Sequence, residues 1–288
     1  MSGTWAVLEA VRPQGRGGPV DSVRTGAAGE FHVAIPHVDT AAFYVVSNWY
    51  RGIAYFSEPV PVTGGAATLQ PIFVYDTSST GPPIEVARRL VTIQRPKETD
   101  GTRSVLEFVE LHNPGTTTRI TNDTMRPVWS GGLPHGTIQF DVGQGDIPPD
   151  AVDERGDSVL VVGPIPPGDP KQLSYTYTLP ATTRRFELPI DQVTGELDLL
   201  LEDTTTVVRG PGLDMGGVQA VDQHRFARYR GMTVPAGTSI EFDFPNPPFR
   251  VQTLVPEVVG AAGLALLFGL VVALRRPPPE LAPRRRKG

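Results

Sequence analysis

Short apolar segments recur roughly every 10–20 positions through residues 1–247, and turn residues stand between them. No stretch in this span shows the three turns of amphipathic periodicity that a surface helix needs. Gly (31) and Pro (30) supply the punctuation. Both disfavour helix interiors, Gly through backbone entropy and Pro through its missing N–H. The chain therefore reads as all-β. Its strands follow one another without intervening helices, which favours sandwiches over βαβ units.

Residues 1–76 carry candidate strands at 5–11, 31–35, 42–47, 54–56 and 68–75. Phe31, Val33 and Ile35 alternate with His32 and Ala34, the pattern of a half-buried strand. Residues 77–83 (Thr-Ser-Ser-Thr-Gly-Pro-Pro) read as a linker. Candidate strands resume over 84–247, at 84–93, 104–111, 137–142, 158–162, 173–179, 186–190, 196–201, 226–229 and 238–244. Leu173, Tyr175 and Tyr177 alternate cleanly with Ser174, Thr176 and Thr178. The arginines Arg88 and Arg89 sit among Val86, Leu90, Val91 and Ile93, which favour a strand over a short helix.

Three groups of residues in the first segment belong together. They are Thr25 with Gly29-Glu30-Phe31, then Phe43-Tyr44-Val45-Val46, then Tyr50-Arg51-Gly52-Ile53-Ala54-Tyr55. This segment resembles the carboxypeptidase regulatory-like domain, a prealbumin-like β-sandwich. The resemblance implies a sandwich over residues 1–76 whose opening strand would precede Trp5. The Pro166-Pro167-Gly168 turn followed by Leu173, Tyr175, Tyr177 and Leu179 looks like the late strand of an Ig-like sandwich. That likeness implies one or two Ig-like domains over 84–247, and it implies no activity.

The C-terminal region has a different character. Residues 258–274 (VVGAAGLALLFGLVVAL) are uncharged and would span about 25 Å as a helix. Arg275, Arg276, Arg284, Arg285, Arg286 and Lys287 follow, with only Glu280 to oppose them. A basic flank resists translocation, so the pattern is that of a single transmembrane helix with a cytoplasmic tail at 275–288. Residues 248–257 become a Pro-rich juxtamembrane stalk, and the body is expected outside the cytoplasm, in the cell envelope at the inner or plasma membrane. No signal peptide is legible in residues 1–25. With the absent opening strand, this leads us to expect that the native product starts upstream. Ala261, Ala265, Gly269 and Ala273 recur at four-residue spacing, a small-residue face suited to packing against another helix.

The net charge of −5 hides the basic tail, and the remaining body is more acidic still. An acidic body argues against nucleic acid as a partner. The absence of Cys excludes a disulfide scaffold, a thiolate metal site and a catalytic thiol. His32, His37, His112, His135 and His224 form no metal-binding helical pair, and no nucleophile elbow or phosphate loop is present. No catalytic residue, cofactor or metal site is therefore nominated. The acidic run Asp141, Asp146, Asp150, Asp153, Glu154 and Asp157 reads as a solvated loop, with calcium as the alternative. Trp5, Trp49 and Trp129 read as core residues, with sugar stacking as the alternative.

These features lead to an expectation of a non-enzymatic, membrane-anchored extracytoplasmic interaction or scaffold protein. Its partners would be the lipid bilayer and another membrane or periplasmic protein. The alternative is a glycan- or peptide-binding envelope module, which exposed aromatic side chains on one sandwich face would favour.

Overall fold

The computed structural model describes residues 1–12, 17–35, 37–60, 65–123, 125–221 and 224–245, all within one compact unit. Among them the chain is almost entirely β-structure. The strands are β1 (Trp5–Val11), β2 (Gly18–Arg24), β3 (Phe43–Tyr50), β4 (Ile53–Phe56), β5 (Thr77–Ser78), β6 (Glu85–Ile93), β7 (Arg103–His112), β8 (Thr118–Arg119), β9 (Trp129–Gly132) and β10 (Ile138–Val142). Then come β11 (Val152–Glu154), β12 (Ser158–Val161), β13 (Lys171–Leu179), β14 (Arg185–Ile190), β15 (Thr194–Leu201), β16 (Val207–Arg209), β17 (Leu213–Val221), β18 (His224–Val234) and β19 (Thr238–Asp243).

The first four strands form an antiparallel sheet in the order β2-β1-β3-β4. The β3–β4 hairpin closes through Arg51 and Gly52, both at positive φ (52° and 81°). A two-residue turn of this handedness matches the twist of its strands. One face of the sheet buries Ala6, Leu8, Tyr44 and Val46. Phe31, Val33, Ile35, Leu69 and Ile72 pack onto that cluster from outside the sheet. Residues 31–35 thus show the expected alternation and half-burial, but they form no strand. Their apolar side chains are used for packing while their backbone joins no ladder. Strand β1 pairs on both sides, with β2 and with β3, so it is a central strand.

Replacing Gly52 by Ala is expected to cost about 1–2 kcal/mol, because an L-residue at φ +81° is strained. Nothing lies within 4 Å of the added methyl, so the cost is purely conformational. Urea unfolding of the variant measures it, and an unchanged midpoint would mean that the turn differs from the one described.

A seven-stranded sheet in the order β10-β13-β7-β6-β15-β18-β17 forms the larger layer, antiparallel except where β6 runs parallel to β15. Two three-stranded sheets, β11-β12-β9 and β14-β19-β16, share one core with it. Val91, Val109, Leu173, Leu197 and Leu199 of the large sheet meet Trp129, Val161, Leu188, Ile240 and Phe242 of the small ones in that core. Sheets burying one face against one another make the architecture all-β and sandwich-like. The Thr77–Ser78 segment, read as linker, pairs in parallel with β8. Close by, the Tyr55 hydroxyl shares a 2.7 Å hydrogen bond with Thr118 Oγ1.

No helix among the described residues is long and apolar enough to cross a membrane. The run 258–274 and the basic tail lie outside the described residues. So do Ala261, Ala265, Gly269, Ala273, Arg275, Arg276, Arg284, Arg285, Arg286 and Lys287.

Candidate functional site: an exposed aromatic sheet face

Catalysis needs an available acid, base or nucleophile, and the larger core holds buried charged side chains. Arg89 and Glu107 project inward from neighbouring strands and are both buried. Arg89 Nε donates to Glu107 Oε2 at 2.8 Å, and Tyr175 and Tyr177 donate to the same carboxylate at 3.0 and 2.7 Å. Burial opposes the charge on Arg89, but the Glu107 carboxylate outweighs it and Arg89's pKa is raised. Burial, then the negative charge of Glu107, pushes both tyrosines well above the usual phenol range. They remain protonated donors. The network is self-satisfied apart from Arg89 Nη2, which has no partner.

Beside Arg89 lies a cavity of about 20 Å³, bordered by Trp129, Gly132, Asp191 and Gln192. That is room for about one water molecule, too little for a substrate. Trp129 is a core residue, and its indole N–H donates to Gln192 Oε1 at 3.2 Å.

A second charge cluster lies on the opposite face of the large sheet. The Asp198 carboxylate accepts from Arg88 at 2.9 Å, from Arg228 at 2.6 and 2.9 Å, and from Arg230 at 3.3 Å. Its side chain is only 1% exposed beneath these guanidiniums. Glu196 adds ion pairs to Arg88 and Arg230, and Arg88 Nε is left without a hydrogen-bond partner.

The acidic run is dispersed. Asp146 accepts from the Gln172 amide, Asp153 pairs with Arg155, and Asp157 with His135. The hydrogen bond to Asp157, then its charge, raises the pKa of His135. Among the described residues no three His, Asp or Glu side chains come together in a group able to hold a metal.

The four-stranded sheet is different. Strand alternation turns Trp5, Val7, Glu9 and Val11 of β1 to the face opposite its core. Phe43, Val45, Ser47 and Trp49 of β3 share that face, as do Ala54 and Phe56 of β4. The pairings Val7↔Ser47, Val11↔Phe43, Ser47↔Phe56 and Trp49↔Ala54 make the patch continuous. Its rings are open to solvent: Trp5 49%, Phe43 44%, Trp49 64% and Phe56 58% exposed. Ser47 donates to the Glu9 carboxylate in the middle of the face. The Arg24 guanidinium lies 4.5 Å from the centre of the Trp5 ring, a cation–π contact that holds that indole in place.

An exposed cluster of large rings on a sheet face makes this the candidate interaction surface. Of the three tryptophans, Trp5 and Trp49 belong to this face and Trp129 to the core. The sequence reads all three as core residues, with sugar stacking as the alternative, and only Trp129 is in the core. That reading does not connect Phe43, Phe56, Glu9 or Arg24 with them. The available signal was the apolar character of both phases of Phe43–Tyr50, which leaves one phase in solvent whichever face is buried.

No known family profile matches this sequence, and no curated protein matches it. Solved structures with a partly similar backbone include a protease candidate from Parabacteroides distasonis, at 12% identity and a TM-score of 0.39. That match covers 57% of this chain and 41% of the other. An M1 zinc metallopeptidase from Deinococcus radiodurans gives 11% identity and a TM-score of 0.37, covering 58% and 43%. An aminopeptidase N family protein from Idiomarina loihiensis gives 10% and 0.30, covering 54% and 29%. The chain thus spans less than half the length of these proteins. Likenesses at this level carry no argument about activity.

Proposed function

We propose that the chain is a non-enzymatic, membrane-anchored interaction module of the cell envelope. In this reading residues 1–76 are a prealbumin-like sandwich and 84–247 an Ig-like region. Residues 258–274 anchor the chain by one helix, with the basic tail in the cytoplasm and the body outside. The observation that carries the reading is the open aromatic face of the four-stranded sheet. The buried ionisable groups support it, because Glu107 and Asp198 are each committed to neighbouring donors. The unit serves as an accessory or scaffold subunit that offers a surface. A glycan- or peptide-binding module is the second reading, and the two exposed tryptophans on one face favour it.

The test uses the full chain extracted in mild detergent. It should co-purify with a stoichiometric membrane or periplasmic protein, and Trp49→Ala should weaken that association. The chain should show no turnover of ester, peptide or glycoside substrates. Turnover abolished by replacing a single carboxylate or His would overturn the proposal.

A further inference from the structure

The geometry points to a narrower statement, which rests on the second reading above: we propose that the aromatic face of the four-stranded sheet binds a neutral oligosaccharide. The area sets the first limit. A large aromatic side chain carries about 150–250 Å² of surface, and the four rings are roughly half exposed, so together they offer about 400 Å². One side of a stable protein interface needs about 800 Å². The rings alone supply about half of that, an area that suits a short ligand.

The shape and position of the rings set the second limit. Trp49 and Phe43 stand six residues apart on one strand, about 20 Å at the rise of a β-strand. Trp5 and Phe56 flank that line on the neighbouring strands β1 and β4. Peptides recognised by sheets pair with the backbone of an edge strand. Here the rings stand on the face, where a peptide added at an edge would leave them uncovered. A pyranose chain fits such a face. Each sugar ring has an apolar C–H side that lies flat on an indole or phenyl ring, and it carries hydroxyls around its rim.

The polar groups set the third. Glu9 is half-buried between the rings, where it accepts from the buried Ser47 hydroxyl, and its carboxylate can accept from hydroxyls above it. Arg24 stands beside Trp5 at the border. Glu9 and Arg24 balance in charge, so the face has no attraction for a polyanion. A neutral chain of hydroxyl-bearing rings satisfies all three limits. Arg24 occupies one side of Trp5, which leaves Trp49 and Phe56 as the principal stacking rings.

The test is titration of the full chain in a zwitterionic detergent, because detergents with sugar headgroups would compete. The probes are the soluble hexasaccharides of α-1,4-glucose, β-1,4-glucose and β-1,4-N-acetylglucosamine, read by tryptophan fluorescence and calorimetry. At least one should bind saturably. Trp49→Ala and Phe56→Ala should each weaken it about 3- to 10-fold, the size of one lost ring contact. Trp49→Phe should retain part of the affinity. Thermal midpoints should stay unchanged, because these side chains are exposed. Met215→Ala, at an exposed position on the large sheet, should bind like the parent. Absence of saturable binding with all three probes overturns the inference, and so does binding indifferent to both alanine variants. If the sugars fail while a co-purifying protein is lost with Trp49→Ala, the ligand class falls and the interaction module stands. If both fail, the face has no binding role and both readings fall.

Discussion

Replacing Glu107 by Leu is expected to destabilise the protein by about 3–5 kcal/mol, the usual cost of leaving a buried charge without its partner. Three groups lose their acceptor at once. Arg89 Nε is held at 2.8 Å, Tyr175 at 3.0 Å and Tyr177 at 2.7 Å. Arg89 keeps only the Pro189 carbonyl, and its Nη2 already lacks a partner. A small domain has about 5–15 kcal/mol in total, so this change takes a large fraction of it. Glu107→Gln keeps the shape and one acceptor, and should fall between the parent and the Leu variant. The combined variant Arg89→Met, Glu107→Leu, Tyr175→Phe and Tyr177→Phe removes every member of the network together. It should recover much of the loss, because no desolvated polar group is then left unmet. Urea unfolding with a constant denaturant slope measures all three. A Glu107→Leu variant as stable as the parent would show that this carboxylate is not the acceptor of the network.

This network also shows where sequence reasoning runs out. The strands carrying Arg89, Glu107, Tyr175 and Tyr177 were all legible, because their neighbours alternate or are β-branched. The charges were not, because their partners lie 18 to 70 residues away and strand order is non-local. Arg88 and Arg89 illustrate it further. A strand sends consecutive side chains to opposite faces. Arg88 joins Asp198 on one side while Arg89 enters the core on the other. Other strands were hidden by composition. Gly18–Arg24 begins on Gly and Pro, residues typical of turns, yet it is an edge strand, where Pro is tolerated. Leu213–Val221 contains Gly216-Gly217, and the register shifts there by a bulge with Gly217 at φ +88°. In the opposite direction, Phe31, Val33 and Ile35 carry a strand's alternation without forming one. The aromatic face was half legible. Its rings are plain in the sequence, but only the β1–β3–β4 register brings Trp5, Trp49 and Phe56 together.

Replacing Asp198 by Asn should cost about 1.5–3 kcal/mol near neutral pH, the range for hydrogen bonds to a charged group. The cost is smaller than at Glu107 because water can reach part of each partner: Arg88, Arg228 and Arg230 keep 28%, 19% and 47% of their side-chain exposure. The pH dependence separates this cluster from a simple packing defect. Burial alone would raise the Asp198 pKa, but hydrogen bonds from Arg88 and Arg228 and the charges of Arg228 and Arg230 hold it below the usual carboxylate value. An unfolded Asp titrates near about 3.9. Above that pH both states are ionised and the full contribution is present. As the pH falls below it, the unfolded state takes up the proton first, and stability drains away until the folded carboxylate protonates too. The gap between parent and Asp198→Asn should therefore be constant from pH 7 down to about 4.5, and narrow progressively below about 4. A gap that stays constant down to pH 2 would mean that Asp198 carries no stabilising charge. A gap that instead widens as the pH falls through 6 would place the folded pKa above the usual range, against the field of three arginines that surrounds it.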